Sequence, residues 1–179
     1  MIALFLADGF EEIEALATVD ILRRAHLDVQ TVGVNGRQIR GTHGIEVTAD
    51  ILDREWTADE LEAVVLPGGM PGTLHLEQSP VVQYAIDTAV NRGLYLCAIC
   101  AAPSILGHKG LLEGKRATCF PGFEKDLKGA HIQGEAVVMD DRFITAKGAG
   151  VAVDFGLRIV AALTSPEQAA VLGDAMQCR

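Results

Sequence analysis

Residues 93–103, Gly93-Leu94-Tyr95-Leu96-Cys97-Ala98-Ile99-Cys100-Ala101-Ala102-Pro103, join an apolar run to a helix-forming stretch. The run predicts a buried strand, and the residues that follow favour a helix, which places Cys100 on a strand-to-helix turn. A side chain on such a turn points away from the sheet. The helix behind it offers unpaired N–H groups and a partial positive charge, so we expect thiolate to be favoured over thiol. Cys100 is therefore the candidate nucleophile.

Strand and helix patterns alternate on both sides of this turn. Strands are predicted at residues 2–7, 29–34, 37–40, 45–48, 61–66, 94–99, 116–119, 136–139 and 143–146, and helices at 11–25, 79–90, 102 onward, 151–163 and 165 onward. The order predicts an α/β fold, a flavodoxin-like three-layer α/β/α sandwich with a mainly parallel sheet. In such sheets, sites form beyond the carboxyl ends of strands, where Asp8, Gly68 and Cys100 all fall.

Size and composition narrow the classes of function. The chain has 179 residues, 49% of them hydrophobic, which suits a single domain over residues 1–179. A net charge of −9 disfavours nucleic acid as a partner, because a phosphate backbone would be repelled. The apolar opening at residues 2–7 is too short for a membrane span or a secretion signal, so we expect no membrane partner and a cytoplasmic protein.

The four cysteines do not resemble a disulfide scaffold, and we expect mostly reduced thiols. Cys97 and Cys100 fit a C-x-x-C pattern, for which redox or metal use is the alternative to ordinary burial of Cys97. Cys97 lies inside the strand run, and Cys119 and Cys178 do not form the second close pair that a zinc ribbon needs. We therefore expect burial of Cys97, no metal and no organic cofactor.

A carboxyl group and two backbone amides are the predicted companions of Cys100. Glu14 lies on the inward side of the first helix if Ile13, Leu16 and Ala17 face the core, and a buried carboxyl beside a thiolate would keep its proton. Gly69 reads either as a turn needing positive φ or, with the N–H of Ala101, as an oxyanion pocket.

Histidines and a second glycine-rich stretch are weaker candidates. His43 and His75 could approach the site from loops, although each reads first as a solvated residue. Residues 148–150 (GAG) read mainly as a strand-to-helix turn, because no G-K-[ST] follows to make a phosphate loop.

Four motifs in register resemble the ThiJ/PfpI superfamily, in the branch named for the human parkinsonism protein DJ-1 and its bacterial relatives. They are residues 8–14 (DGFEEIE), 64–69 (VVLPGG), 98–103 (AICAAP) and 147–150 (KGAG). The resemblance implies a homodimer with Cys100 as its reactive, readily oxidised residue, Glu14 as the family glutamate, and Gly69 and Ala101 as oxyanion donors. It implies activity on methylglyoxal or its early protein adducts, with a role in protection against stress.

Two departures from the family pattern refine this expectation. Ala101 stands where the protease and chaperone branches carry a histidine, so peptidase activity is not expected. Phe120 stands where some members have a histidine, which leaves proton transfer to Glu14 alone. The leading hypothesis is a cysteine-dependent glyoxalase or deglycase acting on a small aldehyde or a glycated protein. The alternative is a non-catalytic sensor or protective binding protein that uses oxidation of Cys100.

Overall fold

The computed structural model describes residues 1–178, which fold around one large central sheet. The strands are β1 (Ile2–Leu6), β2 (Val29–Gly33), β3 (Gln38–Arg40), β4 (Glu46–Thr48), β5 (Ile51–Leu52), β6 (Ala63–Leu66), β7 (Tyr95–Ile99), β8 (Arg116–Ala117), β9 (His131–Ile132), β10 (Val137–Asp140) and β11 (Phe143–Ala146). The α-helices are α1 (Glu12–Arg24), α2 (Gly72–Gln78), α3 (Pro80–Arg92), α4 (Pro103–His108), α5 (Ala152–Leu163) and α6 (Pro166–Ala175).

Seven strands form the central sheet in the order β10-β11-β7-β6-β1-β2-β5. All neighbours pair in parallel except β10 and β11, which are antiparallel. The strands β3 and β4 form the separate antiparallel pair that the turn at residues 35–36 predicts. The predicted mainly parallel α/β architecture is therefore confirmed.

Strand β1 shows how the sheet separates two cores. Its residues are all buried, and alternate side chains point to opposite faces. Ile2, Leu4 and Leu6 join the core that includes α1 and α5. Ala3 and Phe5 join the core that includes α3 and α4. The sheet is covered on both faces, which gives the three layers expected from the continuous apolar run.

Short elements depart from the sequence-based expectations. Helix α2 was not predicted, because a Pro-Gly pair at its start reads as a loop, yet the Thr73 amide donates to the Gly69 carbonyl at 2.9 Å. Strands β5 and β9 were also missed, since two residues give no periodicity. Strand β8 ends at Ala117, because the next amide, that of Thr118, donates to the Thr145 hydroxyl at 2.9 Å.

The inward face of α1 also differs from the prediction. Ile13 is 58% exposed and Leu16 37% exposed, whereas Glu14 and Ala15 are buried. Polar contacts at the start of α1 help to decide which of its side chains face inward, and hydrophobic periodicity does not reveal such contacts. Glu14 therefore points inward as predicted, although the argument that placed it there is wrong.

No helix within residues 1–178 combines the length and the apolar character that crossing a membrane requires.

Candidate active site

Cys100 lies on a strained turn between β7 and α4. Its φ is +65°, a left-handed conformation that costs a residue with a Cβ about 1 kcal/mol. The backbone is fixed on both sides, since the Cys100 amide donates to the Ala146 carbonyl at 2.9 Å and its carbonyl accepts from the Phe120 amide at 2.8 Å. The predicted strand-to-helix turn is present, and the surrounding loops hold its strain in place.

Glu14 reaches this turn from α1 and is 1% exposed. One carboxyl oxygen, Oε2, accepts from the Gly68 amide at 2.8 Å. The other, Oε1, is buried and has no hydrogen-bonding partner among the described residues. The Cys100 thiol is a neighbour of this carboxyl and lowers its pKa, although burial raises that pKa by more. A buried carboxyl with a free oxygen beside a thiol is suited to moving a proton.

Gly68 makes the approach of these two side chains possible. A Cβ built on Gly68 would lie 2.6 Å from the Cβ of Cys100 and 2.7 Å from Glu14 Oε2. The absence of a side chain at this position therefore allows sulfur and carboxyl to share one small space. Sequence analysis noticed the glycine pair but did not assign this role to Gly68.

Burial controls the protonation of both groups. It raises the pKa of Glu14 from 4.5 to about 7, against the opposing effects of the neighbouring Cys100 thiol and of the hydrogen bond from the Gly68 amide. Burial also raises the pKa of the Cys100 thiol, and the neighbouring Glu14 carboxyl raises it further. Above about pH 7, the pair thus carries one proton shared between sulfur and carboxyl. The prediction that Glu14 is held protonated agrees in direction with its raised pKa.

The start of α4 lowers the pKa of the Cys100 thiol less than the sequence predicts. Helix α4 has six residues and begins at Pro103, which has no N–H to offer. Burial outweighs the lowering of the thiol pKa by the Gly69 and Ala101 amides. Burial and the neighbouring Glu14 carboxyl therefore oppose the predicted preference of Cys100 for thiolate.

The two predicted backbone donors both influence the Cys100 thiol. The amides of Gly69 and Ala101 interact with Cys100 and lower its pKa. Gly69 has φ +90°, and its backbone lies so close to Gly9 that a Cβ would be 2.5 Å from the Gly9 carbonyl oxygen. A Cβ on Gly72 would likewise lie 2.6 Å from Gly9. These glycines form a tight seam between two loops, and the seam fixes the backbone position of Gly69.

Phe120 borders the free oxygen of Glu14. A Cβ built on Gly148 would lie 3.2 Å from Phe120 Cδ2 and 3.8 Å from Glu14 Oε1. The ring and the carboxyl therefore flank one space above Gly148. Phe120 is 47% exposed, so the ring also faces solvent.

The two histidine candidates are held away from the sulfur by other partners. His43 Nδ1 lies 2.9 Å from Glu12 Oε2, and this contact raises the pKa of His43 and, together with backbone hydrogen bonds, lowers that of Glu12. His75 Nδ1 lies 2.8 Å from the Asp8 carbonyl. Glu11, Glu12 and His43 present ligand atoms within 4.8 Å of one another, the arrangement that a metal ion would need. Glu12 already accepts from the His43 amide at 2.7 Å, so it holds a loop.

All four cysteines are free thiols in the structure, and Cys97 is buried in β7 as predicted. Burial raises the pKa of Cys97 above the ordinary range. Cys97 is 1% exposed inside the strand, whereas Cys100 is half-buried on the turn. A redox pair within the C-x-x-C pattern is not what this geometry favours.

The sequence profile of the DJ-1/PfpI family matches residues 1–162. The chain belongs to the DJ-1/PfpI family. Protein dj-1beta of Drosophila melanogaster is 32% identical to it over 166 residues, covering 91% of this chain and 89% of that protein. The glutathione-independent glyoxalase DJR-1.2 of Caenorhabditis elegans is 33% identical over 160 residues, covering 88% and 85%. The superfamily predicted from four motifs is confirmed.

Solved structures of DJ-1 proteins have the same fold as this DJ-1/PfpI chain. A cysteine-to-alanine mutant of a DJ-1 superfamily protein from Salmonella typhimurium superposes with a TM-score of 0.93 at 34% identity, covering 99% of this chain and 98% of that one. Oxidized DJ-1 of Toxoplasma gondii has a TM-score of 0.94 at 28% identity, covering 98% and 97%. The flavodoxin-like fold is shared across the whole described chain.

Proposed function

We propose that this DJ-1/PfpI protein is a cysteine-dependent glyoxalase or deglycase that converts methylglyoxal, or its early protein adducts, to a hydroxy acid. The observation that carries the proposal is the buried Glu14 carboxyl, whose Oε1 is unpartnered, beside Cys100 on its strained turn. The glyoxalase named among the relatives supports the same class of reaction.

The first step is addition of the sulfur to the aldehyde carbon. The thiol proton moves to Glu14 as the carbon–sulfur bond forms, so no free thiolate has to persist in a buried site. The negative charge then develops on the aldehyde oxygen, which the Gly69 and Ala101 amides can bind. Glu14 then gives its proton to this oxygen, so the product is a neutral hemithioacetal on Cys100 and Glu14 is a carboxylate again.

The second step moves a hydrogen between neighbouring carbons. Glu14 Oε1 removes the proton from the former aldehyde carbon and returns it to the former ketone carbon. The hydroxyl proton on the former aldehyde oxygen moves to the former ketone oxygen, which leaves a hydroxyacyl thioester. The aldehyde carbon is oxidised and the ketone carbon is reduced, so electrons balance within the substrate. Water then cleaves the thioester, releases the hydroxy acid and restores the Cys100 thiol. Only substrate and water are consumed.

The test measures methylglyoxal loss and lactate formation with purified protein. Cys100→Ala should abolish turnover and Glu14→Gln should reduce it by at least about 100-fold, within the usual effect of removing a general base. Cys178→Ala, which changes a half-buried cysteine near the end of the chain, is the matched control and should retain full activity. Full activity in Cys100→Ala would end the proposal. Preformed thiol adducts supplied as substrate separate deglycase action from scavenging of free aldehyde.

A second candidate function is an oxidation sensor based on the same two residues. Oxidation of Cys100 to sulfinic acid would place an anion next to Glu14, and a protonated Glu14 could donate to it. The raised pKa of Glu14 supports this, because the carboxyl has a proton to donate near neutral pH. A gain of 32 Da on the Cys100 peptide after mild peroxide supports the sensor, and its loss in Glu14→Gln identifies the stabilising group.

We further propose that the protein assembles as a homodimer through α1 and its neighbour α5. Ile13 is 58% exposed, while Leu16 and Val153 are each 37% exposed. Ile21 on the same helix is 1% exposed and cannot contribute. Sedimentation should show a dimer that Ile13→Glu shifts toward monomer. A monomeric wild-type protein would reject the assembly without touching the chemistry.

A further inference from the structure

Phe120 is an apolar ring fixed at the candidate active site. Its amide donates to the Cys100 carbonyl at 2.8 Å, and its carbonyl accepts from the Phe123 amide at 3.1 Å. Both backbone groups are therefore occupied. The backbone of Phe120 is thus tied to the turn that holds the sulfur, and its side chain is 47% exposed.

The ring stands where a substrate substituent would lie. Glu14 Oε1 must reach both carbons between which the proton moves, so the group attached to the ketone carbon extends past this oxygen. Phe120 and Glu14 Oε1 flank a narrow gap at Gly148, where a Cβ would lie only 3.2 Å from the ring. A substituent that extends past Glu14 Oε1 therefore meets the exposed edge of the Phe120 ring.

The charges at the same end of the sheet disfavour an anionic substituent. Glu11 and Glu12 lie on the turn of α1 that leads to Glu14, and their relative exposures are 9% and 4%. The charge of Glu11 already raises the pKa of Glu14. A carboxylate on the substrate would meet the same repulsion, whereas a neutral apolar group would not.

We propose that Phe120 determines substrate specificity, and that the site prefers neutral α-oxoaldehydes carrying a bulky apolar substituent over methylglyoxal and over glyoxylate. This inference rests on the proposed function for its turnover readout. Contact between an aromatic ring and one apolar substituent corresponds to about a tenfold preference in kcat/KM.

The test compares substrates whose carbonyl groups match and whose substituents differ. We would measure kcat/KM for methylglyoxal and cyclohexylglyoxal, since a cyclohexyl group is bulky but does not conjugate with the carbonyl. Phe120→Ala should lower the ratio of cyclohexylglyoxal to methylglyoxal by about tenfold, and Phe120→Leu should keep most of it. Val171→Ala removes a 70% exposed apolar side chain on α6 and should leave the ratio unchanged. An unchanged ratio in Phe120→Ala overturns the inference.

A second readout does not need turnover. Mass spectrometry gives the alkylation rates of Cys100 and Cys178 with iodoacetamide and with N-phenyliodoacetamide, and Cys178 corrects for intrinsic reactivity. The phenyl reagent should be favoured at Cys100 in the wild type and not in Phe120→Ala. If Phe120→Ala loses the phenyl preference but the wild type shows no glyoxalase activity, the proposed function is wrong and the role of Phe120 in recognition stands. An equal phenyl preference in the wild type and in Phe120→Ala would refute the role of Phe120 and leave the proposed function untouched.

Discussion

Replacing Glu14 by glutamine should make Cys100 more reactive while it stops turnover. The Glu14 carboxylate raises the thiol pKa both by its charge and by its hydrogen bond. Two adjacent unit charges at an effective dielectric constant of about 20 interact by up to about 4 kcal/mol, and we expect the thiol pKa to fall by about 2.

The change in alkylation rate follows from this shift. A thiol pKa lower by about 2 units raises the thiolate fraction by about 100-fold, and the weaker nucleophilicity of a less basic thiolate returns about eightfold of that gain. Alkylation of Cys100 by iodoacetamide at pH 7.5 should therefore accelerate by about tenfold in Glu14→Gln. Lactate formation should fall by at least about 100-fold in the same protein, because the proton carrier is gone.

The assay follows the mass of the Cys100 peptide over time and lactate production in parallel. Asp20→Asn is the control, since it removes one charge from an exposed position of the same helix. Slower alkylation of Cys100 in Glu14→Gln would show that Glu14 favours the thiolate, and the account of the shared proton given above would be wrong. Retained lactate production would remove Glu14 from the mechanism.

Three further predictions concern stability and geometry. Because burial raises the pKa of Glu14 from 4.5 to about 7, the folded state holds a proton that the unfolded state has lost, and the free energy of unfolding should fall by up to about 3 kcal/mol as pH rises from about 4.5 to 7. Urea titrations should show this fall in the wild type, and a fall of equal size in Glu14→Gln would assign it to other groups. Cys100→Gly should be about 1 kcal/mol more stable than Cys100→Ala, because glycine accepts φ +65° without strain; equal midpoints in urea would contradict this. Gly68→Ala should reduce turnover by at least about 100-fold through displacement of Cys100 and Glu14, while Gly134→Ala, whose Cβ would meet nothing within 4 Å, should not; normal kinetics in Gly68→Ala would refute the close approach.

The sheet and the strand-to-helix turn at Cys100 could be predicted from the sequence because long apolar runs indicate buried strands. Strands β6 and β7 are such runs, and their parallel pairing places Cys100 beside Gly69 at their carboxyl ends. Helix α2 was not accessible, because its glycine and proline residues read as a loop until tertiary packing is known. Local pattern predicts elements well when burial is continuous and poorly when a helix depends on its neighbours.

The side chains of the site were predicted less completely than its backbone. Glu14 was identified, but the face of α1 was taken from apolar spacing, which the exposure of Ile13 contradicts. The roles of Gly68 and Phe120 depend on distances between loops, and no spacing in the sequence encodes these. The protonation of Cys100 depends on burial depth, which outweighs the helix start and can be judged only in three dimensions.

The glycine seam between residues 9, 69 and 72 limits where this protein can acquire a new specificity. Backbone meets backbone there with no room for even a methyl group, so natural variation and laboratory evolution alike should leave those positions untouched. Adaptable positions lie instead in the loop that bears Phe120. A mutant library in that loop would explore new substrates without disturbing the glycine seam that fixes the Gly69 backbone.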